Sequence, residues 1–224
     1  MQEKNVLPVN RTKAQARASY DRMSRWYDLI AGIAERRYKT AGLDLLDAQP
    51  GERVLEIGFG TGACLLLLAE AVGPTGEVAG IDLSPGMLAI AEGKLKKTGL
   101  LKRVELTLGD AARLPYPDAK FDAAYTSFTL ELFATPEIPL VLSECRRVLR
   151  PAGRLALVAM VKRGRGSLMS RTYAWFHHHF EACADCRPIY ARQSLERAGF
   201  QVTAERQMSM FGLHVDALLA VKPG

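Results

Sequence analysis

The stretch Val54-Leu-Glu-Ile-Gly-Phe-Gly-Thr-Gly62 decides how this chain is read. Its first half is a short apolar run. Gln49-Pro50-Gly51 breaks the chain just before it, so Arg53–Ile57 reads as a buried strand. Its second half sets glycines at alternate positions, Gly58, Gly60 and Gly62. Glycines there permit φ > 0 and remove the Cβ atoms that would hold a ligand away from the backbone. Ala63–Val72 then reads as a buried helix.

Working outward, the strand–helix rhythm continues. Glu77–Ile81 is a second strand, followed by Asp82-Leu-Ser-Pro-Gly86. Ser84 is placed as an N-cap, Pro85 sits at the first helical position, and Gly99 closes the helix Met87–Thr98. Val104–Leu108, Phe121–Thr126 and Arg154–Met160 are three more strands; Pro136–Leu149 is a helix and Pro151-Ala-Gly153 a turn. Arg192–Ala198 is helical and stops at Gly199. Gln201–Met208 and His214–Val221 are terminal strands joined around Gly212 by a link too short for a crossover, hence antiparallel. Residues 12–47 read helical, with Trp26, Tyr27, Ile30, Tyr38 and Leu45 recurring at three- and four-residue steps, and Leu168–Phe180 reads as a further helix. The class is α/β: a doubly wound, seven-stranded, mostly parallel sheet with an antiparallel C-terminal strand and an N-terminal helical extension. We expect one domain over 1–224, with 1–48 a helical cap and 162–189 an insertion covering the active site.

Composition narrows the class further. The chain has 224 residues, 48% apolar and 24% charged, which excludes disordered, collagen-like and coiled-coil chains. No apolar run reaches the ~18 residues that span a bilayer, and the start, Met1-Gln-Glu-Lys-Asn5, lacks a signal-peptide core, so a cytoplasmic protein is expected. The net charge is +6, and residues 1–40 hold nine basic against four acidic side chains. A second basic run, Lys162, Arg163, Arg165 and Arg171, contains no acid. A solvated face and a dock for an anionic membrane surface both fit these patches. Four cysteines make no disulfide scaffold, and Cys64 reads as core packing.

In open α/β sheets the ligand lies beyond the carboxyl ends of the strands. The residues there are Glu56 with the glycine loop, Asp82, Asp110 with Ala111, and Thr126 with Ser127. Asp82 ends its strand where a carboxylate can accept both hydroxyls of a ribose. Asp110 can accept from the exocyclic amine of a base, and Leu83, Met87 and Ala111 are apolar groups between which an adenine can lie. Gly58-x-Gly60-x-x-Ala63 also fits the dinucleotide fingerprint. Against a nicotinamide dehydrogenase stand Glu56, which would repel a pyrophosphate, and the ~50 residues that precede the first strand. The Tyr116-Pro-Asp-Ala-Lys120 sequence is a turn rather than a catalytic helix.

The sequence resembles class I S-adenosylmethionine-dependent methyltransferases. The motifs are Val54–Gly62, Gly80-Ile-Asp-Leu-Ser-Pro-Gly-Met-Leu88, Gly109-Asp-Ala-Ala-Arg-Leu-Pro-Tyr-Pro-Asp118, Phe121-Asp122 and Val148-Leu-Arg-Pro-Ala-Gly-Arg-Leu155. Within the class it is similar to the ubiquinone/menaquinone-biosynthesis group, through Tyr20-Asp-Arg-Met-Ser-Arg-Trp-Tyr-Asp28, and to bacterial phosphatidylethanolamine N-methyltransferases. The resemblance implies S-adenosyl-L-methionine as cofactor. Glu56 and the glycine loop would hold its methionine part, Asp82 its ribose, and Asp110 with Ala111 its adenine. Ser127 would lie near the sulfonium, and Tyr20 or Tyr27 would close over it. The quinone enzymes carry an Arg-Asn pair after the fourth strand, where this chain has Ser127-Phe-Thr-Leu-Glu-Leu132. The Asn-Pro-Pro-Tyr type motif of base-amino methyltransferases is absent, which argues against a nucleic-acid acceptor. The expected acceptor is a small-molecule or lipid-like amphiphile, with a methyltransferase of a polar metabolite and a non-catalytic cofactor-binding module as alternatives.

Blander roles stand beside these. Asp122 reads as a structural acid at a strand start, and Glu131 either meets a substrate cation or caps the segment that follows it. Trp175, Phe176 and Phe180 fit a helix core as well as a substrate cover. No metal is expected, since His177-His-His179 point different ways on a helix and match no spacing with Cys183 and Cys186. An acceptor hydroxyl or carbon needs a general base, for which Tyr20, Glu131 and His214 are the candidates. The sequence leaves the oligomeric state open.

Overall fold

The computed structural model describes residues 33–162 and 187–224. The expectations for Tyr20, Tyr27, Trp26, the helix 168–180 with its aromatics, the histidine run, Cys183 and Cys186 lie outside the described residues. Within them the order is α1 (Ile33–Leu46), β1 (Arg53–Ile57), α2 (Ala63–Ala71), β2 (Glu77–Asp82), α3 (Pro85–Lys97), β3 (Val104–Leu108), β4 (Phe121–Ser127), α4 (Ile138–Val148), β5 (Leu149–Met160), α5 (Ala191–Arg197), β6 (Gln201–Met210) and β7 (Leu213–Val221).

The strands form one sheet in the order β3-β2-β1-β4-β5-β7-β6. β1 pairs in parallel with both β2 and β4, β2 with β3 and β4 with β5. β7 runs antiparallel to β5 and β6. The chain winds outward from β1 to β3 and then returns to β4, so the switch point lies between β1 and β4. The central strands β1 and β4 are buried on both faces along most of their length, with Glu56, Thr126 and Ser127 the buried polar residues near their carboxyl ends, whereas edge strand β6 alternates.

Two cores cover the two faces. Tyr38, Ala41, Cys64, Leu65, Leu68, Ala91 and Leu95 of α1, α2 and α3 pack on one; Val141, Leu142, Cys145 and Leu195 of α4 and α5 pack on the other. Gly42 explains how α1 comes so close: a Cβ there would sit 2.4 Å from Val158 Cγ2. A helical glycine costs about 1 kcal/mol relative to alanine, and close contact with β4 and β5 is what it allows here. Tyr125 of β4 fixes that contact by donating its hydroxyl to the Lys39 carbonyl at 2.9 Å.

Two boundaries differ from expectation. The Pro151-Ala-Gly153 segment is a bulge inside β5 rather than a turn before it: Leu149 pairs with Phe121, and pairing resumes at Ala123↔Arg154. The bulge is held because Ala152 N–H donates to the Lys222 carbonyl and Lys222 N–H to Gly153. The terminal hairpin also closes more tightly than expected, with Phe211 (φ 51) and Gly212 (φ 82) alone between the strands. Both central residues have positive φ, the two-residue turn whose twist matches its strands.

Candidate active site

The carboxyl ends of β1, β2, β3 and β4 bring together the glycine loop, Asp82, Asp110 and Ser127. The loop's glycines all have positive φ, 71° at Gly58, 52° at Gly60 and 79° at Gly62, but their surroundings differ. A Cβ at Gly58 would collide with Thr129 at 2.3 Å, and one at Gly62 would meet Ala91 at 2.9 Å; at Gly60 nothing lies within 4 Å. Gly58 and Gly62 are therefore needed for packing inside the protein. Gly60 alone offers its open side to a ligand.

Asp82 ties two loops together. Its Oδ2 accepts from Gly60 N–H at 2.8 Å and its Oδ1 from Ser84 N–H at 2.9 Å. Ser84 caps α3 by accepting from Met87 N–H at 3.1 Å. Met87 is buried and Leu83 half-buried beside it.

Asp110 begins the long loop after β3, where its Oδ1 accepts from Ala112 N–H at 3.0 Å. Ala111 next to it is buried. The loop is pinned from α4, where Arg147 pairs with Glu144 and donates to the carbonyls of Leu114 and Tyr116. Ser127 ends β4, buried, and its carbonyl accepts from the Thr129 hydroxyl at 2.9 Å.

Glu56 faces the side of α1 and α2. It is 2% exposed, and its Oε2 meets no hydrogen-bond partner. Burial pushes its carboxyl well above the usual range; Asp82 adds to this and Lys39 opposes it. Cys64, buried nearby, is core packing as expected, with its thiol pushed up to about 12 by burial.

The acceptor-side candidates separate. Glu131 sits in a one-turn helix, Leu130–Leu132, fully buried. Its carboxyl accepts from its own backbone amide and from Met160 N–H at 3.1 Å, and it caps neither its own turn nor the helix that follows, contrary to the capping expectation. Its Oε2 has no partner. Burial raises it to about 8, against the pull of those bonds and of Arg187. Arg187, missed in the sequence, donates to the Phe133 carbonyl at 2.6 Å and to Thr135 Oγ1 at 3.1 Å. No pattern marks it, because it stands alone at the edge of a segment without periodicity. His214 is exposed at the start of β7, two strands beyond β4 in the sheet order, so the described residues do not bring it to Ser127. The chain leaves β5 at Val161 and returns beside it at Ile189, whose N–H donates to the Met160 carbonyl at 3.0 Å. Asp122 lies at the opposite end of the sheet, accepting from Arg53 N–H at 2.7 Å and pairing with Arg150 at 2.9 Å, which fits the structural role.

Residues 54–153 match the family described as "Methyltransferase domain". The chain is 34% identical over 163 residues to the ubiquinone/menaquinone biosynthesis C-methyltransferase of Ectopseudomonas mendocina (strain ymp), covering 73% of this chain and 61% of that one. The chain spans between 38% and 61% of the length of the curated relatives it matches. Among solved structures, a SAM dependent methyltransferase from Aquifex aeolicus is similar at TM-score 0.62 and 25% identity, over 84% of this chain and 93% of that one. The 4+2 cyclase SpnF shares the fold at TM-score 0.78 and 23% identity, over 97% of this chain and 98% of that one. The chain thus carries a methyltransferase domain of the class I, S-adenosylmethionine-dependent family, similar to the ubiquinone/menaquinone group.

Proposed function

We propose that the chain binds S-adenosylmethionine at the carboxyl edge of the sheet and methylates a small amphiphilic acceptor, a quinone precursor or a phospholipid head group. One observation carries the cofactor reading. A buried carboxyl, Glu56, keeps an unpartnered oxygen beside a loop whose central glycine is open on one side. An unpartnered buried polar atom costs about 1–3 kcal/mol, and the cofactor's ammonium group removes that cost. A pyrophosphate in the same place would be repelled. Asp82 receives the ribose. Asp110, Leu83, Met87 and Ala111 frame the adenine, and Ser127 borders the sulfonium.

The bound cofactor supplies a methyl group already activated on a positive sulfur. The chain's work is then to align the acceptor and keep water out. As the acceptor's electron pair takes the methyl group, the acceptor gives up a proton. Glu131, with its unpartnered oxygen beside Arg187, is the described residue best suited to bind the acceptor's polar group or take that proton. Tyr20 and Tyr27 keep the closing role that the resemblance implies. Two things support an amphiphilic acceptor: the named activity of the curated relatives, and a basic excess in residues 1–40 that suits a peripheral contact with an anionic membrane. Among the described residues no helix is long and apolar enough to cross a membrane.

The test uses cofactor labelled in its methyl group, incubated with the purified chain and extracts split into lipid, quinone and RNA fractions. Label in the lipid or quinone fraction is expected. Label only among polar metabolites or RNA overturns the acceptor, and no transfer at all, despite binding, leaves a cofactor-binding module. A parallel thermal-shift comparison should show stabilisation by S-adenosylhomocysteine and none by NAD.

A further inference from the structure

α1 brings a charged pair to the back of the cofactor site that no motif marks. Lys39 pairs with Glu35, one helical turn earlier, at 2.8 Å, and its side chain is only 20% exposed. Around it stand Glu56 of β1, Cys64 of α2 and Tyr125 of β4, whose hydroxyl closes on the Lys39 carbonyl. Asp82, at the end of β2, acts on Glu56 from its own strand end. Among the described residues, the charges acting on Glu56 are one cation, Lys39, and one anion, Asp82. Burial works against the Lys39 ammonium, but Glu35, Cys64 and Glu56 outweigh it and raise it above its ordinary value. It stays charged throughout the physiological range.

This arrangement answers a difficulty in the cofactor reading, on which it rests. A fully buried carboxyl next to another anion favours its protonated form, and a protonated Glu56 binds a cation poorly. We propose that Lys39 is a positioning residue of the cofactor site: tethered by Glu35, its ammonium group keeps the Glu56 carboxylate available to the ammonium group of S-adenosylmethionine. Any proton that Glu56 still carries is released to solvent when the cofactor arrives, so binding is coupled to proton release. Glu35 divides the Lys39 charge between itself and Glu56, which makes α1 the element that sets the acid limit of binding.

Calorimetric titration of the full chain with S-adenosylhomocysteine, from pH 5 to 9 in two buffers of different ionisation enthalpy, tests this. Affinity should fall on the acid side as Glu56 takes up its proton. Lys39→Met removes the cation that the described residues set against Glu56, so the acid limb should move to higher pH. At a fixed pH on that limb binding should weaken roughly 3- to 10-fold, with more protons released per cofactor bound. Lys39→Arg should restore the wild-type profile. Glu35→Gln should move the limb the other way, because Lys39 then acts on Glu56 undivided. Superimposed profiles for wild type and Lys39→Met overturn the inference, as does equal weakening at every pH in both Lys39→Met and Glu35→Gln. Should Lys39→Met not fold, an unmoved limb in Glu35→Gln overturns it. A wild-type chain that binds no S-adenosylhomocysteine overturns the cofactor reading itself; a wild-type chain that binds, with unmoved profiles, overturns only the role of Lys39.

Discussion

The two ends of the sheet treat charge in opposite ways. At the amino ends Arg154 grips both oxygens of Glu52, at 2.8 and 2.7 Å, and donates to the carbonyls of Leu46 and Asp47. Asp122 ties β1 to the bulge of β5, and the Lys222 ammonium closes on the Leu149 carbonyl at 2.6 Å. At the carboxyl ends Glu56 and Glu131 are buried, each with an oxygen that meets no partner. One end holds the strands together, and even its one unpartnered buried side-chain nitrogen among the described residues, Arg103 Nε, belongs to a guanidinium gripped by the carbonyls of Ala69 and Gly73. The other carries unsatisfied carboxyls that stability alone would not select, and it is the end where open α/β sheets bind ligands.

Breaking this contrast has its largest expected effect at Glu131. Its folded value of about 8 lies above the unfolded carboxyl range. Its contribution to stability is therefore fully present below about pH 4.5 and is lost as pH rises toward 8, at up to about 1.4 kcal/mol per pH unit. Glu131→Gln mimics the protonated form, so melting curves should show the variant gaining on wild type from pH 5 to 8 and matching it near pH 4. Parallel pH profiles would remove Glu131 from the buried, raised state.

Gly58→Val comes next. It combines a strained backbone with a collision at Thr129, and the expected loss is about 2–4 kcal/mol. Thermal melts should register this, and an unchanged midpoint would show that the loop is slack. Asp82→Ala should weaken S-adenosylhomocysteine binding roughly 10- to 100-fold while the chain stays folded. Unchanged affinity would take Asp82 out of the site. Arg154→Met, at the other end, should cost about 1 kcal/mol of stability and leave cofactor affinity within about twofold of wild type. A large loss of affinity there would erase the distinction between the two ends.

Much of this was legible in the residues. Short, mostly apolar runs bounded by turn residues mark the central strands, because these are buried on both faces, and the capping residues Ser84 and Gly99 mark α3 without tertiary help. The bulge in β5 was not legible: Pro151-Ala-Gly153 is an ordinary turn sequence, and only pairing with Lys222 makes it part of a strand. The glycine loop was legible as a binding loop, though not the division of labour in which Thr129 and Ala91 fill two of its three places. Lys39 and Arg187 stayed hidden for one reason. Each acts on a buried carboxyl in an element far from it in sequence, and no local spacing encodes the approach of α1 to β1 or of the Ile189 segment to the Glu131 turn.

Whether the unsatisfied carboxyl edge holds the cofactor is decided by a crystal structure of the chain with S-adenosylhomocysteine. The prediction is a cofactor whose amino group lies within hydrogen-bond distance of Glu56 Oε2 and whose ribose hydroxyls meet Asp82. A cofactor bound elsewhere, with Glu56 Oε2 still unpartnered, would contradict it.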